Sequence, residues 1–179
     1  MLNKFITCDT IANMNKRINI GDKVKAINDI NQFSLKNYQA IDIEFFNVHL
    51  IELNDICKNK LFDKTKLYVR SSTLWELMQP EGEIGKHHFH GLSAEDIYDC
   101  IKELADPLCI YSSYNERIVI VTSKENARQE KMILVIEKHS SLENNRDANI
   151  NKLITVYPKK NIENVILKLR VDQLIYSKV

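Results

Sequence analysis

The residues with the clearest chemical potential lie in one short loop between two glycines, where three of the five histidines fall within four positions. The loop contains Lys86, His87, His88 and His90. Imidazole has an unperturbed pKa of about 6.5, so it can take up or release a proton near neutral pH. Phosphodiester cleavage without a metal ion needs one group that removes a proton, another that supplies one, and a cation beside the phosphate. The loop offers all three, although a polar loop before a helix is the alternative interpretation.

The same loop also contains a pattern that could bind a metal ion. His88 and His90 form a His-x-His pair, and His87 adds a third nitrogen. Zinc takes three or four ligands in tetrahedral geometry, often from separate elements, and no acidic or thiol ligand lies close in the sequence. We expect Phe89 to point into the core and its neighbours to point outward. We therefore predict no metal and no other cofactor, with a metal site as a rival interpretation.

Length and composition indicate one soluble globular domain, or one domain with a smaller attachment. The 179 residues are 44% hydrophobic and 27% charged, and the net charge is +1. The whole chain therefore gives no electrostatic signal for nucleic acid or a membrane. No apolar run approaches the roughly 20 residues of a membrane-spanning helix, and the first residues lack signal-peptide features. The four cysteines form no CxxC pair, so we expect reduced, mostly buried thiols in a cytoplasmic protein without a membrane partner.

The elements that must position the histidine loop are a strand and a helix before it and a second helix after it. Residues 67–69 predict the strand, and residues 73–79 predict a helix capped by a serine and ended by Pro80. Ser93, followed by acidic residues in the next turn, is a helix N-terminal signal. The loop is therefore expected to lie between two helices.

The C-terminal half predicts a meander of antiparallel strands. Short runs rich in isoleucine and valine alternate with polar turns. The strands are expected at residues 108–112, 117–123, 131–137 and 153–157, the last ending at Pro158. Residues 140–151 are hydrophilic and predict a loop. Helices followed by strands indicate an α+β fold, in which a small antiparallel sheet of about four to five strands packs against N-terminal helices.

Residues 1–62 predict an extra, mainly helical segment of unknown role. Residues 23–33 have apolar positions at helical spacing, and the second half of residues 35–61 also fits a helix. The charged patch at residues 63–66 is the candidate boundary. We therefore divide the chain into residues 1–62 and a domain at residues 63–179.

From residue 66 to residue 176 the chain resembles the nuclease-like C-terminal domain of phage MuF proteins. This domain belongs to the PBECR group, which shares a fold with barnase, EndoU, colicin and RelE-like proteins. The matching pieces occur in the family's order. They are residues 67–77, Lys86-His87-His88 with Gly91-Leu92-Ser93, Leu104-Ala105-Asp106-Pro107, residues 108–112, Ile118-Val119, residues 133–136, residues 151–157 and Leu174-Ile175-Tyr176. The family usually has a serine at Thr155, and both residues carry a hydroxyl. Because the first 60 or so residues match no known pattern, we expect a stand-alone version of the domain.

The resemblance implies a metal-independent endoribonuclease of the toxin or effector type that leaves a 2′,3′-cyclic phosphate. His87 or His88 would be the base or acid, and Lys86 the cation. Thr155 and Tyr157 would face the same cleft and hold the phosphate. His90 and Ser112 are further candidates for substrate binding.

The implied partner is RNA, with tRNA as a candidate, and an immunity or antitoxin protein could accompany a toxin. Residues 152–179 hold six basic side chains against two acidic ones, so Lys159 and Lys160 are candidate phosphate contacts. Tyr111 or Tyr114 could stack on a base, or both could simply pack on the sheet. Such a toxin would act in the cytoplasm, including that of a target cell after delivery. The alternative function is a catalytically inactive phage- or toxin-derived module that binds RNA or a protein.

Overall fold

The computed structural model describes residues 16–34, 41–58, 60–64, 66–82, 89–142, 145–170 and 172–178. These residues form one mixed sheet of eight strands with five α-helices and a short 3₁₀ helix at Glu103–Ala105. The strands are β1 (Lys16–Asn19), β2 (Asp42–Phe46), β3 (Leu67–Arg70), β4 (Cys109–Ser112), β5 (Arg117–Glu125), β6 (Lys131–Leu142), β7 (Asn145–Lys159) and β8 (Leu174–Ser177). The helices are α1 (Lys23–Phe33), α2 (Leu50–Cys57), α3 (Ser71–Met78), α4 (Ala94–Lys102) and α5 (Ile162–Leu167).

The strand order in the sheet is β1-β2-β3-β7-β6-β5-β4-β8. β1 runs parallel to β2 and β3 runs parallel to β7, while the other neighbours are antiparallel. The predicted α+β class is confirmed, but the sheet is larger than the four to five strands expected and is not purely antiparallel. The N-terminal segment accounts for part of the difference, because it contributes β1 and β2 as well as helices. The division of the chain at residue 62 stays a prediction, although strands from both sides share this sheet.

The hydrophilic stretch at residues 140–151 is not a loop, and that prediction was wrong. β6 continues to Leu142 and β7 begins at Asn145, so most of the stretch is a hairpin arm. Most residues of the arm are exposed or half-buried, which removes the apolar alternation that would have indicated strands. β7 also continues through Pro158, because β3 pairs with β7 only from Asn151 to Leu153. Beyond that point no strand among the described residues pairs with this side of β7, so the missing N–H of Pro158 is tolerated there.

The two faces of the sheet carry separate apolar cores. The larger core lies under helices α1 to α4 and includes Ile18, Ile43 and Ile101, all fully buried. The smaller core lies on the opposite face under α5 and includes Val119 and Val135. Strand residues therefore alternate between the two cores, so both faces are partly covered.

The described cysteines are Cys57, Cys100 and Cys109, and all three are buried free thiols, as predicted. Burial raises the pKa of each thiol above its ordinary value, so all three stay protonated and unreactive near neutral pH. Cys8 lies outside the described residues. In the part of the chain that the structure describes, no helix is both long and apolar enough to cross a bilayer.

The parallel pairing of β3 with β7 is reinforced by two buried polar side chains of β7. Asn151 is 3% exposed, and its Nδ2 donates to the carbonyl oxygens of Lys64, at 2.8 Å, and Lys66, at 3.3 Å. Lys152 Nζ lies 3.0 Å from Asp42 Oδ1 on β2, and both side chains are nearly covered. These contacts hold β7 against the N-terminal strands.

Asn151→Asp is expected to destabilise the protein by about 1–3 kcal/mol at pH 7, because an ionised carboxylate cannot donate to the two carbonyls. Burial beside two acceptors should raise the pKa of the new carboxyl in the folded state above about 3.9. The variant's stability relative to wild type should therefore recover as the pH falls to about 4 and below. Urea unfolding at both pH values measures this difference.

The matched control is Asn164→Asp, since Asn164 is exposed on α5. It should change the free energy of unfolding by less than about 0.5 kcal/mol at either pH. Equal unfolding midpoints for Asn151→Asp and wild type at pH 7 would contradict this account of β7.

Candidate active site

The predicted site residues divide into those that the structure describes and those that it does not. Lys86, His87 and His88 lie outside the described residues, so their roles stay predictions. Among the other candidates, His90, Thr155 and Tyr157 come together at one place.

His90 is held in position by the residues on either side of it. Phe89 is 8% exposed, as predicted, and packs edge-on against Trp75 of α3 with ring centroids 5.5 Å apart. Gly91 N donates to the carbonyl oxygen of Gln79 at 2.7 Å. Gly91 adopts a φ of +62°, which a residue with a Cβ rarely adopts. The backbone of His90 is therefore fixed against the C-terminal end of α3.

The helix that follows the loop begins as the sequence predicts. Ser93 Oγ accepts a hydrogen bond from Asp96 N at 3.0 Å, and Asp96 Oδ2 accepts one from Ser93 N at 3.0 Å. This capping box satisfies two backbone donors and places the first residue of α4. The loop thus joins two anchored helices. The serine cap predicted for α3 was wrong, because Arg70 is the N-cap residue and makes no side-chain capping bond.

An irregularity in β7 determines which side chains face this loop. Leu153 pairs with Ile136 and Thr155 pairs with Val135, so Ile154 is an extra residue in β7. Such a bulge changes the regular alternation of side chains along a strand. As a result Ile154, Thr155 and then Tyr157 line the face that carries the smaller core.

His90 contacts two candidate site residues of β7, Thr155 and Tyr157. Its Nε2 lies 3.3 Å from Thr155 Oγ1, and which of the two atoms donates depends on the imidazole tautomer. The His90 ring lies 5.8 Å from the Tyr157 ring, at an interplanar angle of 32°. The family resemblance predicted that Thr155 and Tyr157 share a cleft with the loop residues Lys86 to His88, and His90 was a separate candidate for substrate binding. The structure places His90 beside Thr155 and Tyr157.

Thr155 and Tyr157 line a cleft of about 370 Å³ that extends across β5 and β4. Arg117, Tyr111 and Tyr114 form other parts of its wall. Arg117 Nε lies 3.1 Å from Glu137 Oε2, and its guanidinium lies 5.6 Å from the centre of the Tyr114 ring. The cleft therefore combines a cation with aromatic rings and hydroxyl groups, and the imidazole of His90 contacts two of its lining residues, Thr155 and Tyr157.

Burial keeps two tyrosines of this cleft protonated. It raises the pKa of Tyr111 to about 12, with a smaller contribution from the nearby Tyr157, and it also raises the pKa of Tyr157. Desolvation disfavours the phenolate. Near neutral pH both side chains are therefore hydrogen-bond donors, suited to an anionic oxygen.

Ser112 is not brought to this cleft. It pairs with Ile118, which belongs to the core on the opposite face, and its Oγ lies 3.4 Å from the carbonyl oxygen of Gln173. Its neighbour Ser113 lines the cleft instead.

The basic residues near the C-terminus are mostly paired, so they form a weaker positive surface than their number suggests. Lys152, Lys160, Arg170 and Lys178 each contact a carboxylate. Lys160 Nζ, for example, lies 3.6 Å from Glu130 Oε1. Lys159 is exposed at the end of β7, two residues beyond Tyr157. Of the two predicted lysines, Lys159 is therefore better placed to reach a phosphate near the cleft.

Two residues of the cleft, Arg117 and Glu76, were missed by sequence reasoning. Arg117 is the first residue of β5 and lies two positions before Val119. Side chains two positions apart in a strand lie on the same face of the sheet, so the sequence indicated that Arg117 and Val119 share a face. The sequence alone could not show that this face carries the cleft, because that depends on the register that places Val119 beside Val135 and Val135 beside Thr155. Glu76 is one acidic residue on α3, and nothing in the sequence distinguished it.

In the described residues, no group of three or more His, Cys, Asp or Glu side chains is arranged to hold a metal ion. His87 and His88 lie outside those residues, so the rival metal interpretation of the loop is not tested.

Comparison with family models gives a match to the phage MuF C-terminal domain over residues 83–178, more than half of the 179 residues. The matched region begins just before the histidine loop and includes β7 and, apart from Glu76, the residues that line the cleft. The chain therefore belongs to the phage MuF C-terminal domain family, the nuclease-like class of domain that the sequence resembles. A comparison with curated proteins and one with solved structures gave no match.

Tyr111 provides a test of the buried cleft wall at high pH. Because its pKa is about 12 in the folded protein and about 10 in the unfolded chain, the unfolded chain loses the phenolic proton first. The stabilisation is present below about pH 10 and is lost between about pH 10 and 12. Tyr111→Phe should therefore reduce the fall in unfolding free energy over that range, measured by urea denaturation.

Tyr114→Phe is the control, because Tyr114 is 71% exposed. The unfolding free energy of Tyr114→Phe should depend on pH as that of wild type does. If Tyr111→Phe and Tyr114→Phe lose stability equally steeply above pH 10, Tyr111 is not buried as described.

Proposed function

We propose that this protein is a metal-independent endoribonuclease of the toxin or effector type, which cleaves RNA in the cleft beside His90. The observation that carries the proposal is the contact of His90 with Thr155 at the edge of a cleft that also contains Arg117. A proton-transfer group and a cation are thus placed around a space large enough for a nucleotide. Membership of a nuclease-like family supports the same chemistry.

The proposed reaction uses the RNA's own 2′-hydroxyl as the nucleophile. A base removes the 2′-hydroxyl proton, and the oxygen attacks the adjacent phosphorus. The bond from phosphorus to the 5′-oxygen of the next nucleotide breaks, and an acid gives that oxygen a proton. The products are a 2′,3′-cyclic phosphate and a 5′-hydroxyl, so no water is consumed in this step. The groups needed are a base, an acid and a cation.

His90 is assigned one of the two proton-transfer roles, with Thr155 fixing its orientation by a hydrogen bond. Arg117 is assigned the stabilisation of the phosphate charge, because its side chain lines the cleft and a guanidinium can give two parallel hydrogen bonds to a phosphate. The second proton-transfer group comes from His87, His88 or Glu76. The loop histidines lie two to three residues before His90 in the chain, and Glu76 lines the cleft.

The aromatic wall of the cleft gives the proposal an RNA-binding element. Tyr114 is 71% exposed, and the Arg117 guanidinium lies near its ring. Exposed aromatic rings stack on unpaired bases, and each such stack contributes roughly 1–3 kcal/mol. Tyr111 is half-buried against the smaller core and is better suited to donate a hydrogen bond. The substrate is therefore single-stranded RNA or a tRNA loop.

A ribonuclease of this type is proposed to act in the cytoplasm, either of the cell that makes it or of a target cell after delivery. Free activity would damage the producing cell. An immunity or antitoxin protein that covers the cleft is therefore part of the proposal.

The test is cleavage of total tRNA by the purified protein in the presence of EDTA. Wild type should cleave, and His90→Ala should lower kcat/KM by about 10²–10⁴, the usual contribution of a general acid or base. Thr155→Val should lower it by up to about tenfold, because one hydrogen bond is lost, while Thr155→Ser should retain most activity. His87→Ala and His88→Ala identify the second proton-transfer group in the same assay.

His49→Ala is the matched control, because His49 is the N-cap residue of α2 and does not line the cleft. Its Nδ1 lies 2.8 Å from Glu52 Oε1. It should cleave as wild type does, and circular dichroism should show each variant folded. Cleavage that disappears only with EDTA would favour the metal interpretation. A folded wild type that cleaves no RNA would overturn the proposal and favour the inactive binding module.

A further inference from the structure

Of the described residues that line the cleft, Glu76 is the one with an acidic side chain. Helix α3 holds it in a defined position, because Leu74 and Leu77, which lie within one turn of it, are buried in the larger core. Trp75, the residue before it, packs against the segment that positions His90. The Glu76 carboxylate is therefore presented to the cleft from a rigid element.

The Glu76 side chain is half-buried, and its carboxylate makes no hydrogen bond or ion pair with the rest of the described chain. Arg117 is the basic residue in the wall of the same cleft, but its Nε lies 3.1 Å from Glu137 Oε2. Arg117 is thus paired with another carboxylate. Glu76 is therefore an acceptor that faces the cleft and is available to a ligand.

A carboxylate in a cleft that receives RNA must face a part of the nucleotide other than the phosphate, because like charges repel. When ionised it only accepts hydrogen bonds, so its partner must be a donor. A ribose hydroxyl offers one donor. The two carboxylate oxygens lie side by side and are better matched by two neighbouring N–H groups, as in a bidentate pair with arginine. The edge of a base can supply such a pair.

Guanine is the one common RNA base whose Watson–Crick edge has two neighbouring N–H donors, N1–H and the N2 amino group. Adenine and cytosine each have one amino group beside a ring nitrogen that accepts, and the N–H of uracil lies between two carbonyl oxygens. Proteins read single-stranded RNA through these edges. A bidentate contact of this kind discriminates against a wrong base by roughly 10- to 100-fold.

The other groups in the cleft wall suit a base that faces Glu76. Tyr114 is 71% exposed, so its ring is able to stack on the face of a base. The hydroxyl groups of Tyr111 and Ser113 belong to lining residues and can donate to the O6 atom of guanine. The cleft thus offers a stacking surface, hydroxyl donors and a two-oxygen acceptor.

We propose that Glu76 reads the base held in the cleft and selects guanine, by accepting hydrogen bonds from its N1–H and N2 amino groups. This inference rests on the proposed function, and it adds that RNA is cleaved next to an unpaired guanosine. It also assigns Glu76 to recognition, so the second proton-transfer group is His87 or His88.

Nucleotide binding tests the recognition without any cleavage. Isothermal titration calorimetry compares 3′-GMP with 3′-AMP and with 3′-IMP, which lacks the N2 amino group. Wild type should bind 3′-GMP about 10- to 100-fold more tightly than 3′-AMP, with 3′-IMP between the two. Glu76→Gln should bind 3′-GMP and 3′-AMP within about threefold of each other, because an amide has only one acceptor oxygen.

Glu163→Gln is the matched control, because Glu163 is exposed on α5 and does not line the cleft. It should keep the wild-type preference for 3′-GMP. Circular dichroism should show both variants folded.

Cleavage rates separate recognition by Glu76 from proton transfer by it. Two uridine decamers carry either one guanosine or one adenosine at the same position, and kcat/KM is measured at the linkage after it. Glu76→Gln should lower kcat/KM about 10- to 100-fold for the guanosine RNA and change it by less than about threefold for the adenosine RNA. An equal loss on both RNAs would make Glu76 a proton-transfer group and overturn the inference.

Guanine recognition is also overturned if wild type binds 3′-GMP no more tightly than 3′-AMP, or if Glu163→Gln removes the preference as fully as Glu76→Gln does. The proposed function is judged independently by the tRNA assay. Wild type that cleaves tRNA but binds the nucleotides without preference would refute guanine recognition alone. Wild type that prefers 3′-GMP through Glu76 but cleaves no RNA would refute the nuclease proposal alone.

Discussion

The parallel pairing of β3 with β7 is the constraint on which the rest of the structure depends. The Asn151 side chain reaches the carbonyls of Lys64 and Lys66, which are 87 and 85 residues away in the chain. Closing so long a loop costs conformational entropy, and few contacts can offset that cost until neighbouring strands are in place. The buried Asn151 amide and the Lys152–Asp42 ion pair select one register, because any other would leave these groups unpaired.

That register connects the two ends of the candidate site. β3 leads directly into α3, which carries Trp75 and anchors the backbone on both sides of His90. β7 carries Thr155 and Tyr157, and the bulge at Ile154 places them opposite His90. A one-residue change in register would turn these side chains to the other face of the sheet. The alignment of β3 with β7 therefore positions the chemistry as well as the fold.

The sequence predicted those features that depend on local patterns. The helix at residues 23–33, the Ser93 cap, the hairpin of β4 and β5, and the burial of Phe89 all follow from periodicity or capping chemistry within a few residues. Strand β1 and the hairpin arm were missed, and the first half of residues 35–61, which contains β2, was left open. The pairing of β1 and β2 depends on partners distant in sequence, and the arm lacks apolar alternation. Local reasoning therefore predicted the elements better than the size of the sheet.

The candidate site also contains residues that the sequence predicted and residues whose place depends on pairing between distant strands. Thr155 and Tyr157 were predicted through the family resemblance, which carries information about distant pairing that a single sequence lacks. Arg117 and Glu76 were missed, because their place in the cleft depends on the pairing across β5, β6 and β7 and on the position of α3. Ser112 was a further candidate for substrate binding, but the alternation of β4 places it on the opposite face of the sheet.

The most direct measurement is mass spectrometry of the products from a short RNA that the protein cuts at one bond, compared with the same RNA carrying a 2′-deoxy nucleotide at that position. The account predicts a 2′,3′-cyclic phosphate on the upstream fragment, a 5′-hydroxyl on the downstream fragment, and no cleavage of the deoxy substrate. Cleavage of the deoxy substrate, or a 5′-phosphate on the downstream fragment, would show that the 2′-hydroxyl is not the nucleophile and would contradict the account.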